Sequence, residues 1–183
     1  MSFLYEKGYK IADFLTLLRL FIVLLLLSFV PGGISNFNEF MTFLLIAWLT
    51  DCLDGFFARK SKRLGFLGFW DGWVDTLMYV TIFLYCTIMG YYSFVFFGLV
   101  LILNFLSVFF TRNLEVNQAF HFIYILLGFR TLLIISPEWS LVVISWTFLV
   151  IIFKWKRLKE QIVNFLSSWK GLLFSKNKPS SGL

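Results

Sequence analysis

Six stretches, at roughly 13–30, 40–59, 67–89, 92–111, 116–135 and 139–153, contain little except Phe, Leu, Ile, Val and other apolar residues. About 20 such residues in a helix cross the roughly 30 Å hydrocarbon core of a bilayer. The chain is 60% hydrophobic and 14% charged, where a soluble domain sits nearer half and a quarter, so water is excluded as its main solvent. The expected fold is an all-α integral membrane protein with six transmembrane helices, an N-terminal juxtamembrane segment and a C-terminal amphipathic helix. Turn chemistry separates the stretches: Pro31, Gly32, Gly33 and Ser35, then Gly90 and Ser93, then Ser136 and Pro137. Connections this short make consecutive helices antiparallel neighbours.

Basic residues orient the bundle, because Lys and Arg next to spans stay on the cytoplasmic side. Lys7 and Lys10 precede the first stretch, Arg59, Lys60, Lys62 and Arg63 follow the second, and Arg112 follows the fourth. Lys154, Lys156, Arg157 and Lys159 follow the sixth, whereas the opposite connections carry Glu39 and Glu138. Both termini are therefore expected in the cytoplasm. Arg130 lies near the far side and is read as snorkelling or paired with Glu138. The first stretch reads as a true span rather than a cleaved signal, since Asp13 and Arg19 interrupt it and no small-residue cleavage pattern follows. Cys52 and Cys86 have no metal-type spacing and read as core residues.

Residues 1–155 are expected to form a single six-helix membrane domain, and 156–183 a cytoplasmic interfacial helix with a disordered tail. In that last segment Ile162, Phe165, Leu166, Trp169, Leu172 and Leu173 recur at helical spacing among lysines, as on a helix lying on an anionic leaflet. Basic residues on the cytoplasmic face account for the net charge of +6, so no nucleic-acid partner is needed.

Against this background, four aspartates fall between residues 51 and 75. Ionised groups in apolar helices are costly and mark a functional site. Asp51 and Asp54 are i and i+3 near the cytoplasmic end of the second stretch, while Asp71 and Asp75 are i and i+4 near the start of the third. All four lie at one depth, about 6 to 12 Å below the interface, so facing helices would converge them on one pocket. Four anions in one pocket repel unless a cation neutralises them. Oxygen-only donors favour Mg2+ or Mn2+ over zinc, and such ions share their shell with substrate phosphates. The bland alternative, burial through salt bridges with Arg19 and Arg59, sets two cations against four acids.

The segment DCLDGFFARKSKRLGFLGFWDGWVD resembles the signature of the CDP-alcohol phosphatidyltransferases. Asp51, Asp54, Gly55, Ala58 and Arg59 match its first half, Gly68 follows at the family's interval of eight residues, and Asp71 and Asp75 keep the final separation. Only Phe69 and Trp70 separate Gly68 from Asp71, one residue fewer than the family pattern. Such a deletion turns a helix by about 100° unless the connection before it absorbs the change. The resemblance implies a membrane enzyme that moves a phosphatidyl group from a CDP-linked lipid to an alcohol and releases CMP. It implies metal binding by Asp51, Asp54, Asp71 and Asp75, with Asp75 also the general base, and nucleotide contacts from Thr16, Asp54, Gly55, Ala58 and Arg59. A homodimer is the family's common state.

DFLTLLRLF at 13–21 is similar to the family's first span through Thr16 and Arg19, with Asp13 where Asn is common. Arg19, Gly68, Asn104 and Arg112 are candidates for acceptor binding or structural roles, and Asn117, Gln118 and His121 lie in the same cytoplasmic half. The arginine-glutamate pair usual in span four of bacterial glycerophosphate transferases is missing from LILNFLSVFFTRN. Glycerol 3-phosphate is still the acceptor slightly favoured, with serine or inositol-type acceptors and a phosphatidylglycerophosphate-synthase-like relative in view. A non-catalytic family member and a divalent-cation transporter are the competing classes. The transporter needs polar groups continuing to the far side, and FLLIAWL and MYVTIFLYC supply few.

Overall fold

A computed structural model describes residues 2–60, 65–111 and 114–152, with residues 155 and 163. The Arg59 side chain, Arg112 and the expected C-terminal amphipathic helix lie outside the described residues. The described chain is helical: α1 Ser2–Phe29, a 3-10 segment Val30–Asn36, α2 Phe37–Lys60, α3 Gly68–Ile88, α4 Phe94–Thr111 and α5 Leu114–Ile135. A further helix, α6, covers Pro137–Ile152.

The helix ends follow from local chemistry. Pro31 falls in the first positions of the 3-10 segment and denies the end of α1 a backbone donor. Gly33 then adopts φ +51°, a left-handed conformation that only glycine takes at low cost, and the chain reverses into α2. Gly90, at φ +83°, closes α3 in the same way. Pro137 is the first residue of α6, where its fixed φ suits a helix start.

The chain divides into two compact units, Met1–Ser140 and Leu141–Leu183. In the first, α1 packs along both α2 and α3, and α5 packs on α3 and α4. Leu15, Ile22, Val23 and Leu26 of α1 are buried, as are Phe40, Met41, Leu44 and Ala47 of α2 and Val74, Met78, Ile82 and Phe83 of α3. The Tyr85 hydroxyl donates to Gly33 O at 2.6 Å while its ring stacks on Phe40 at 3.9 Å, fixing the α1–α2 turn against α3. Phe83, Val100 and Tyr124 form a second core where α3, α4 and α5 meet. In the second unit, residues 141–152 are helical and Thr147 donates to Val143 O at 2.8 Å.

The outer surface is apolar as well. Phe14, Leu17, Phe21 and Leu24 of α1 and Leu103, Phe105, Phe109 and Phe110 of α4 are exposed. Patches of this extent face lipid or a partner rather than water.

The six expected stretches coincide with six helices, but not with six equal spans. Two runs are long and apolar enough to cross a bilayer: Lys7–Ala58, which contains α1 and α2, and Val116–Ile135. Phe94–Phe110 and Pro137–Ile152 are shorter apolar helices, and α3, with Asp71 and Asp75 in its first turns, is not among the runs that qualify. The juxtamembrane residues before position 13 continue α1 without a break.

Candidate active site

Arg19 is the centre of the aspartate cluster. Its side chain has no exposed surface, and its guanidinium meets all four acids. Nη1 lies 3.3 Å from Asp51 Oδ1 and 3.2 Å from Asp71 Oδ1, and pairs with Asp75 Oδ1; Nη2 pairs with Asp54 Oδ2. Thr16, one turn before Arg19 and buried, places its hydroxyl 3.2 Å from Ala12 O and 3.4 Å from Asp71 Oδ1.

This arrangement differs from the expected one in one respect. The four carboxylates do converge, but α1 packs against both helices that carry them and sends Arg19 in between. On α2, Asp51, Asp54, Gly55 and Ala58 fall at i, i+3, i+4 and i+7, a single stripe. Asp54 is buried and Ala58 exposed, so the stripe runs from the interior to an open edge. On α3, Asp71 and Asp75 share one face, and their side chains are 38% and 23% exposed, against 7% for Asp54. The cluster is therefore sealed on the Asp54 side and open on the Asp51 and Asp71 side.

Electrostatics leaves the cluster unbalanced. Among the described residues one guanidinium faces four carboxylates, so acids outnumber cations and burial makes the imbalance costly. Asp54 Oδ2 accepts no hydrogen bond despite its pairing with Arg19, and Arg19 Nε has no acceptor. Among the described residues no three acidic, His or Cys side chains form a ready metal-ligand group, because Arg19 holds the middle. The donor chemistry, all carboxylate oxygen with acids outnumbering the described cation, nevertheless suits a hard divalent cation.

The missing residue before Asp71 does not displace the acids. Gly68 opens α3 with open space where a Cβ would stand, and Asp71 and Asp75 still reach Arg19. Just ahead of Asp71 the chain is tied to α1. There, Asp13 accepts the backbone N–H groups of Phe66 and Leu67, both at 3.0 Å. The sequence signal for Asp13 is its spacing of three from Thr16 and six from Arg19 on one helix.

A second polar group lies beside the cluster. Thr76, the residue after Asp75, has its hydroxyl 2.8 Å from His121 Nε2 and receives Asn117 Nδ2 at 2.8 Å, while it donates to Gly72 O at 2.8 Å. Tyr79, one turn beyond Asp75, holds its ring 4.8 Å from that of His121. The structure thus brings Asn117 and His121 next to α3. Asn104 goes elsewhere: it is buried and donates to the Tyr124 hydroxyl at 3.0 Å, within the α4–α5 packing.

Comparison with known proteins gives one match. The model of the family described as CDP-alcohol phosphatidyltransferase matches residues 9–155, which takes in most of α1, all of α2 to α6 and every residue of both polar groups. No curated protein and no solved structure matches the chain.

Proposed function

The chain belongs to the CDP-alcohol phosphatidyltransferase family, and from that premise we propose that it transfers a phosphatidyl group from CDP-diacylglycerol or a similar CDP-linked lipid to glycerol 3-phosphate, releasing CMP. Members of the family are CDP-alcohol phosphotransferases, so the chain is a membrane enzyme of phospholipid head-group transfer, and the family is generally dependent on a divalent metal. The observation that carries the finer reading is the convergence of Asp51, Asp54, Asp71 and Asp75 on one point, open on one side, with a single cation among them in the described residues.

Mg2+ or Mn2+ would be held by those four carboxylates, and when bound would neutralise phosphate oxygens and the leaving CMP. The remaining work falls to the chain. Asp75 takes the proton of the acceptor hydroxyl, a role open to a carboxylate that is partly exposed and lies one turn along α3 from Asp71 at the open side of the cluster. Arg19 holds the acids at one point and keeps them from separating. Gly55 and Ala58, on the same stripe as the acids, leave room for a nucleotide along α2, with Thr16, Asp54 and Arg59 as its polar contacts. Thr76, Asn117 and His121 supply the polar wall for the acceptor, since Thr76 follows Asp75 on α3 and is hydrogen-bonded to both α5 residues.

Six membrane crossings, both termini and the site on the cytoplasmic face, a catalytic domain over 1–155 and a homodimer complete the proposal. The α1–α2 run supports two of those crossings, since residues 7–29 of α1 and 37–58 of α2 are each long enough, at about 1.5 Å per residue, to cross a bilayer core of roughly 30 Å, and the chain doubles back between them at Gly33. Glycerol 3-phosphate rests on chain length and the first-span similarity. The test is purified protein with CDP-diacylglycerol, Mn2+ and glycerol 3-phosphate, serine or inositol-type acceptors supplied singly, with product mass recorded. A phosphatidylglycerophosphate product supports the proposed acceptor, and a serine or inositol product replaces it.

A further inference from the structure

We infer that Asp13 is a positioning residue that sets the rotation of α3, and that Gly65 exists to admit it. This deepens the reading above, because it rests on Asp71 and Asp75 being working acids of the site.

Three observations meet at this point. Asp13 Oδ2 accepts Phe66 N–H and Asp13 Oδ1 accepts Leu67 N–H, each at 3.0 Å, so both carboxylate oxygens are committed to the entry of α3. Leu67 O in turn accepts the Asp71 N–H at 3.1 Å, the first full turn of the helix. Asp13 is thus one residue and one hydrogen bond away from the backbone of a cluster acid. Thr16 and Arg19, further along α1, grip Asp71 and Asp75 themselves. The same helix that pins the start of α3 also pins its acids, so the spacing of α3 from Leu67 onward must match the spacing along α1. That match is what keeps Asp71 in place although the chain is one residue short of the family interval.

Gly65 supplies the independent observation. It does not have the positive φ that demands glycine, which among the described residues is found at Gly33 and Gly90. The objection to a side chain at 65 is steric: a Cβ there would collide with the Asp13 carboxylate. An alanine at 65 would push that carboxylate off the two amides, producing by another route the loss that Asp13→Ala produces directly. The two substitutions therefore act on one contact, and their effects should not add.

The experiment is a double-substitution cycle in the full chain, in detergent, with Asp13→Ala, Gly65→Ala, the pair together and Asp13→Asn. Three quantities are read: CMP release from CDP-diacylglycerol, the Mn2+ concentration giving half the maximal rate, and hydrogen exchange at the Phe66 and Leu67 amides. Displacing acids by about an ångström costs up to about 100-fold in rate. Each single alanine variant should lose about 10- to 100-fold in kcat, need more Mn2+ for half-activation, and exchange both amides faster. The double variant should be no worse than the worse single one. Asp13→Asn, which keeps one acceptor oxygen, should recover part of the rate and protect one amide. Losses that multiply in the double variant, or amides that exchange alike in the parent and Asp13→Ala, would overturn the inference. If the parent itself releases no CMP, the functional reading fails, and the exchange data alone still decide whether the clamp exists.

Discussion

Replacing Arg19 by methionine keeps most of the side-chain volume and removes the only cation that the described structure places among the four aspartates. Asp51 and Asp71 are 37% and 38% exposed, so water takes up most of what they lose, under about 1 kcal/mol each. Asp54 is different. Its side chain is 7% exposed and its Oδ2 accepts no hydrogen bond, so it would become a buried carboxylate without a counter-charge. Stranding one member of a buried ion pair costs about 3–5 kcal/mol. For a domain of this size that corresponds to a fall of about 6–20 °C in Tm. A divalent ion that fills the same position should offset much of it, by mass action on the folded state. Thermal unfolding in detergent, with Mn2+ or with a chelator, reads both effects: a large drop for Arg19→Met in chelator, and a greater rise with Mn2+ than in the parent. A variant within about 1 kcal/mol of the parent in chelator, or equal Mn2+ shifts in both, would refute the role of charge balance in this cluster.

Further outcomes follow from single contacts. His121→Ala and Thr76→Val should each raise the acceptor KM with little change in the KM for CDP-diacylglycerol, and equal rises in both would remove these residues from the acceptor wall. Asn104→Leu should cost about 0.6 to 1.7 kcal/mol of stability through the lost bond to Tyr124 and leave the acceptor KM unchanged, a split that steady-state kinetics and unfolding together detect. Gly128→Ala places a Cβ 2.7 Å from Ile82 Cγ2 between α5 and α3, an overpacking that should cost about 1–3 kcal/mol, visible as a lower Tm.

Helix positions were legible because hydrophobic runs and their Pro and Gly punctuation are local: Pro31, Gly33, Gly90 and Pro137 end or start helices where the text places them. The four aspartates were legible as a group, since i, i+3 and i, i+4 spacings fix a face within each helix. Which helix lay between those faces was not. Arg19 was named from sequence as a salt-bridge partner of these acids, and the packing of α1 on both α2 and α3 shows that it meets all four at once. Asp13 escaped because its partners are backbone amides 53 and 54 residues away, which carry no side-chain signature. Asn104 and His121 look alike in sequence as polar residues in apolar helices. Their partners separate them, Tyr124 for one and Thr76 for the other.

The central claim is that the carboxylates gathered at Arg19 run a metal-dependent transfer from a CDP-linked lipid. It is tested most directly by CMP release from CDP-diacylglycerol with glycerol 3-phosphate, comparing the parent with Asp75→Asn, each with Mn2+ and with chelator. The account expects release by the parent with Mn2+ alone, and a loss of about 100- to 10,000-fold in Asp75→Asn, the range a general base contributes. Release that survives the chelator, or an Asp75→Asn variant that keeps the parent rate, would contradict it.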